Sequence, residues 1–172
     1  MSKAVAVHKL TDPDAPLAAS ARVILVRLGE VAEYAPAVSD PTNVAELHDM
    51  RIAAKRLRYT LEVFAPVLPS EAFQQASKQV AELQERLGAI HDCDVLSLLL
   101  EQTLAREGER ERKRALKKKP EMPPFFAAEG LVPQMARCRT ERTRLHGEFI
   151  TWWEGLPPER FWSSIAALVP SG

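Results

Sequence analysis

The sequence has little of what several large classes of protein require. It holds only two cysteines, Cys93 and Cys138, too few for a disulfide framework and typical of small buried residues in a reducing compartment. The seven glycines form neither a G-x-G-x-x-G nor a G-x-x-x-x-G-K-[ST] phosphate-binding loop, and no G-x-S-x-G elbow occurs. The commonest nucleotide-binding and hydrolase signatures are therefore excluded, and we expect a protein that is not an enzyme and carries no cofactor.

Net charge and long apolar runs are missing too. Lys+Arg 23 balances Asp+Glu 23, whereas nucleic-acid binders are more often basic, so any anion site must come from local segregation of charge. The most apolar run, Val95 to Leu100, is too short to span a bilayer. Residues 1–13 lack the apolar stretch of a secretory signal and are interpreted as a flexible leader. We expect a cytoplasmic protein without a membrane anchor.

The rest of the chain, residues 14–172, predicts a single all-α domain. Apolar residues recur at helical spacing in four long segments and one short closing segment, which predicts an antiparallel four-helix bundle with a short C-terminal fifth helix. The predicted helices cover about 16–34, 41–65, 70 to the charged run at 106–119, 131–154 and 158–169. Between the third and fourth helices, about 106–133, we expect a basic, proline-rich connection.

Two details of these helices are further expectations. Asp40 and Pro41 are typical of an N-cap and a first helical residue, so the second helix should begin there. After Val95 the third helix is apolar nearly all round, which indicates either deep burial or a surface for a partner helix.

The second helix carries a row of cations. His48, Arg51, Lys55 and Arg58 are spaced by three, four and three residues and therefore share one side of a helix, next to an apolar seam that begins at Leu47. Ten residues of helix span about 15 Å, enough for several phosphates of an extended polyanion. Periodicity alone favours a solvated face with local ion pairs such as Arg58 with Glu62.

The segment HDMRIAAKRLRYTLEVF, from His48, together with LQERLGAIHDCDVL, from Leu83, resembles the CHAD domain, the conserved histidine α-helical domain. The resemblance implies an α-helical module that binds inorganic polyphosphate and often accompanies CYTH-type triphosphate enzymes. A CYTH-type triphosphatase or polyphosphate-granule proteins are then expected partners, with granule association as one location. The motif occurs once here, whereas the usual domain has two similar halves, so a homodimer is a second hypothesis.

With the resemblance, phosphate binding becomes the preferred role of His48, Arg51, Lys55 and Arg58, with Arg56 as a peripheral contact. Whether His48 touches ligand or serves structure stays open. In the HDCD run we expect Asp92 and Asp94, with His91 beside them, to pair with basic residues of the second helix. The alternatives for this run are a metal site, for which the chain lacks an HExxH or CxxC partner, and a plain surface.

Two further basic regions are weaker candidates. Arg137 and Arg144 share a face of the fourth helix and are candidates for the opposite wall of a basic groove, although Glu141 and Glu148 argue for ordinary ion pairs. The run at 110–119 resembles a polyanion-binding tail or a solvated helix end. The rival functions are a nucleic-acid-binding or regulatory protein that uses the same basic surface and, with less support, a metal-dependent phosphohydrolase.

Overall fold

The computed structural model of the chain describes residues 3–7, 16–116, 128–156, 158–166 and 168. Within these residues the protein is all-α and contains no strand, which confirms the predicted fold class. The helices are α1 (Pro16–Tyr34), α2 (Val44–Phe64), α3 (Ser70–Leu116), α4 (Ala128–Gly155) and α5 (Pro158–Ala166). Most of the predicted leader and residues 117–127 of the predicted connection lie outside the described residues.

The chain forms two compact units. Residues 1–88 and 146–172 make up the first unit, which holds α1, α2, the beginning of α3, the end of α4 and all of α5. Residues 89–145 make up the second, which holds the remainder of α3 and α4. In the first unit α1 packs against both α2 and α5. No helix in the described part of the chain combines the length and the apolar character that crossing a membrane would take.

The apolar seams predicted for the first three helices are buried. Their buried members are Ala21, Ile24, Leu28 and Val31 in α1, Leu47, Met50, Ala54, Leu57 and Leu61 in α2, and Ala76, Val80, Leu83, Leu87 and Ile90 in α3. Aromatic rings of α4 and α5 pack together in the first unit, with Trp153 and Phe161 5.7 Å apart between ring centres. Packing of these seams supplies most of the stability of such a bundle, because burial of an amphipathic face stabilises a helix more than its intrinsic propensity does.

Helix α2 begins later than the sequence predicted. Asp40 does not cap it: its carboxylate accepts hydrogen bonds from the backbone N–H and the hydroxyl of Thr42, at 2.8 Å and 2.7 Å. This local turn precedes the helix, and the first α-helical bond runs from the Leu47 N–H to the Asn43 carbonyl. A short Asp side chain can close a turn on itself as readily as it can cap a helix, and here the turn prevails.

Helix α3 runs further than predicted, to Leu116, so the charged run at 106–116 is helical and does not fray. The residues there are good helix formers, and neighbouring turns are joined by ion pairs. Arg110 pairs with Glu107 at 2.6 Å, and both Arg112 and Lys113 pair with Glu109. Similarly, α4 begins at Ala128, before the predicted start near 131.

Of the two expectations for the segment after Val95, deep burial is wrong, and a surface for a partner helix stays a prediction. Val95, Leu96, Leu98 and Leu99 are exposed and only Leu100 is buried. A helix that is apolar on all sides buries only the side that meets its neighbours. In this segment that side includes Leu100 and leaves the other four apolar residues exposed.

A buried carboxylate ties α1 to α2. Glu30 is 4% exposed, and its Oε1 accepts hydrogen bonds from the Val5 backbone N–H at 2.6 Å and from Arg27. The guanidinium of Arg56 on α2 lies 3.7 Å from its other oxygen. Glu30 was not predicted as a buried charge, although it is next to Val31 of the α1 seam and is therefore turned partly towards the core.

Replacing Glu30 by Gln keeps the shape of the side chain and removes its charge. Because two cations then lose a buried partner, we expect the free energy of unfolding to fall by about 2 kcal/mol. Urea denaturation followed by circular dichroism measures this loss. The matched control is Glu33→Gln on the same helix, which is exposed and should change stability by less than about 0.5 kcal/mol. If the two substitutions lower the free energy of unfolding equally, the ion pairs of Glu30 do not stabilise the fold.

Candidate anion-binding site

The row of His48, Arg51, Lys55 and Arg58 lies along one flank of α2. All four residues are half-buried, and they border the buried seam that faces the core. The seam fixes the rotation of the helix, and the cations follow because each stands about 100° from its seam neighbour. The result is a line of positive charge about 15 Å long at the edge of the buried face.

Arg58 and Lys55 have contacts that a ligand can exchange. Arg58 donates from Nε to Glu62 at 2.8 Å, but both side chains are about half exposed, and surface pairs of this kind contribute little. The ammonium group of Lys55 lies 5.7 Å from the ring centre of Tyr59, which is itself exposed. In neither case is the positive charge paired with a buried group. Arg58 and Lys55 can therefore bind an anion.

Arg51 is different, because its Nε is buried and has no hydrogen-bond partner among the described residues. A buried donor without an acceptor costs about 1–3 kcal/mol, so native proteins rarely leave one unless another group completes it. This position is therefore the most specific feature of the row.

Arg56 does not join the row. Five residues from Arg51, it stands about 140° away around α2, on the flank that faces α1. There its guanidinium pairs with the buried Glu30. A peripheral ligand contact was expected of Arg56; the structure shows a partner for it within the fold, and the ligand contact stays untested.

The structure shows partners for two of the predicted supporting residues. Glu62 pairs with Arg58, as described above, and Asp94 pairs with a residue that was not predicted. Its Oδ1 accepts a hydrogen bond from the Nε of Arg142 on α4, where the expectation was a basic residue of the second helix. Arg142 lies four residues after the buried Cys138, on the same side of α4. A cation within an apolar seam could have indicated from the sequence that Arg142 needs a partner inside the fold. Asp92 is exposed and His91 is half-buried.

In the second unit, Arg137 and Arg144 are both exposed. Arg144 contacts both carboxylate oxygens of Glu141, at 2.9 Å and 2.5 Å, and this hydrogen bonding lowers the pKa of Glu141. The local ion pairing that was the alternative for this face is therefore present, at a spacing of three residues. A ligand contact of Arg137 and Arg144 stays a prediction.

The HDCD run shows no sign of a metal centre. Among the described residues, no three His, Cys, Asp or Glu side chains stand close enough to hold one ion. Cys93 within the run is half-buried, and burial raises the pKa of its thiol, with the nearby Cys138 and Glu141 adding to the effect. A raised pKa is the opposite of what a nucleophilic or metal-binding thiolate needs.

These features describe an all-α protein with a line of cations on one helix flank in the first unit and ion pairs between two helices in the second. The family model of the CHAD domain matches residues 3–101, more than half of the 172 residues. The chain therefore belongs to the CHAD domain family. The matched region contains the whole row on α2 and the HDCD run on α3. No curated protein and no solved structure gives a significant match.

The pair of Asp94 and Arg142 should be the strongest ion pair of the second unit. Its side chains are 19% and 15% exposed, so a double-mutant cycle with Asp94→Asn and Arg142→Gln should give a coupling free energy of about 1–2 kcal/mol. The matched control joins the same two helices: Glu101 and Arg139, 48% and 65% exposed, should couple by less than about 0.5 kcal/mol. Chemical denaturation measures both. A coupling no larger than that of the control pair would contradict the structural role of Asp94.

Proposed function

We propose that this protein binds inorganic polyphosphate, without catalysing its turnover, through His48, Arg51, Lys55 and Arg58. The observation that carries the proposal is that these four residues stand on a single flank of α2, bordering the buried seam, within a region that belongs to the CHAD family. CHAD domains are associated with polyphosphate binding, and this row is the part of the chain that suits such a ligand.

The chemistry of the row fits a long chain of phosphates. Arginine offers a planar fork of donors that binds two phosphate oxygens at once, and lysine offers a mobile point charge. Spaced along about 15 Å of helix, these groups meet successive phosphates of an extended chain. No base has to be read, so selectivity rests on the spacing of charge and the shape of the surface.

Arg56 takes no part in binding in this proposal, because Glu30 engages it on the other flank of α2. Arg58 exchanges its surface partner Glu62 for phosphate when ligand arrives. That exchange costs little, because an exposed ion pair contributes at most about 1 kcal/mol.

A competition titration tests the proposal. Labelled long-chain polyphosphate is bound to the protein and displaced by single-stranded DNA at equal phosphate concentration. We expect DNA to compete poorly, and the variant Arg51→Ala/Lys55→Ala/Arg58→Ala to lose at least tenfold in affinity. Because binding to a polyanion releases counterions, the variant should also have a shallower salt dependence, its log–log slope reduced by about two.

The matched control removes three positive charges elsewhere, by Arg110→Ala/Arg112→Ala/Lys113→Ala on the exposed end of α3. It should bind polyphosphate nearly as wild type does, because these side chains lie outside the row. If both triple variants lose affinity for polyphosphate equally, binding depends on total positive charge and not on the row. Equal competition by DNA would favour a nucleic-acid-binding protein, and orthophosphate release with Mg²⁺ or Mn²⁺ would favour an enzyme.

A further inference from the structure

The two flanks of α2 have different neighbours. Arg56 contacts Glu30 of α1, so α1 lies on the Arg56 flank. Arg51 and Arg58 stand about 140° and 160° away from Arg56 around the helix, on the opposite flank. In a helical bundle a helix has a neighbour on each flank, and helices joined by a short connection are antiparallel neighbours. Only residues 65–69 join α2 to α3, so this rule assigns α3 to the flank that carries the row.

The same reasoning applies to the beginning of α3. Arg86 stacks its guanidinium on Trp152 of α4, 4.9 Å from the ring centre, and Gln79 accepts a hydrogen bond from Ser164 of α5. These contacts place α4 and α5 on one flank of α3. Ser77 and Gln84 stand about 140–200° away from those two residues, on the flank that remains for α2.

The residues on the two facing flanks also stand at matching heights. Arg58 lies six residues before the end of α2, and Ser77 lies seven residues after the start of α3. Arg51 and Gln84 lie thirteen and fourteen residues from the same connection. In an antiparallel pair these counts bring each arginine level with one polar residue, to within about 2 Å along the axis. Between them Lys55, nine residues from the connection, is nearest in height on this flank to the small side chain of Ala81, eleven residues from it.

Three polar atoms on these flanks are buried and have no hydrogen-bond partner among the described residues: the Nε of Arg51, the Oε1 of Gln84 and the Oγ of Ser77. The other two such atoms belong to Glu30 and Arg142, which are both in ion pairs. Orphaned polar atoms are costly, and three of them spread over about 10 Å of one seam indicate a polar ligand that extends along it.

We infer that Ser77 and Gln84 form the second wall of the anion site, in a groove between α2 and α3. This inference rests on the proposed function. Phosphate oxygens would accept hydrogen bonds from the Arg51 Nε–H, from the Ser77 hydroxyl and from the Gln84 amide, which presents its NH₂ when it rotates about its last torsion. Neutral donors add contacts of fixed geometry without adding charge. Ser77 and Gln84 therefore select for ligand shape, whereas the cations of α2 supply electrostatic attraction.

Polyphosphate titrations of Ser77→Ala, Gln84→Leu and Gln84→Glu test this assignment. We expect Gln84→Leu to weaken binding about tenfold, Ser77→Ala about fivefold, and the salt dependence of both to match wild type, because neither removes a charge. Gln84→Glu keeps the size of the side chain and places a carboxylate against phosphate, so it should weaken binding about 100-fold. Thermal unfolding without ligand shows whether each variant folds as wild type does.

The matched control is Gln74→Glu, the same charge change at an exposed position of α3, which should weaken binding less than threefold. If Arg51→Ala lowers affinity while Ser77→Ala and Gln84→Leu bind as wild type does, the second wall is wrong and the proposed function stands. If those two variants change only the melting temperature, their polar atoms serve the fold alone and the inference is again overturned. Absence of polyphosphate binding by the wild-type protein would overturn both proposals.

Discussion

The ion pair between Glu30 and Arg56 is the interaction on which the arrangement of the first unit depends. A carboxylate that is almost fully buried must be paired, because an isolated buried charge is far too costly. Glu30 meets this requirement with Arg27 of its own helix, with the Val5 backbone and with Arg56 of α2. The pair orients the Arg56 flank of α2 towards α1. The opposite flank, with its row of cations, is thereby turned away from α1.

Basic residues of α2 that look equivalent in the sequence consequently have different roles. Arg56 belongs to the fold, Arg58 is held weakly at the surface, and Arg51 has a buried donor without an acceptor. Burial distinguishes these three arginines, because the strength of an electrostatic contact depends on how much water surrounds it. The second unit shows the same contrast between Asp94 with Arg142, half-buried, and Glu101 with Arg139, exposed.

Prediction from sequence succeeded where a local pattern controls the outcome. The seam of α1, from Ala21 to Val31, and the seam of α2, from Leu47 to Leu61, are buried as their spacing requires. Prediction failed where two local solutions compete, as at Asp40, whose carboxylate closes a turn on Thr42 instead of capping α2. It also failed for the end of α3, which was expected at the charged run and instead lies within it, at Leu116.

The sequence by itself determined the helical class, the family and the row of cations on α2, because each of these follows from the order of residues along one helix. Tertiary structure alone decided which cations are engaged and by which groups. Arg56 meets Glu30 across 26 residues of chain and Arg142 meets Asp94 across 48, and no periodicity within one helix encodes such distant pairs. Ser77 and Gln84 gain their significance in the same way, because only the folded structure shows that one polar atom of each is buried.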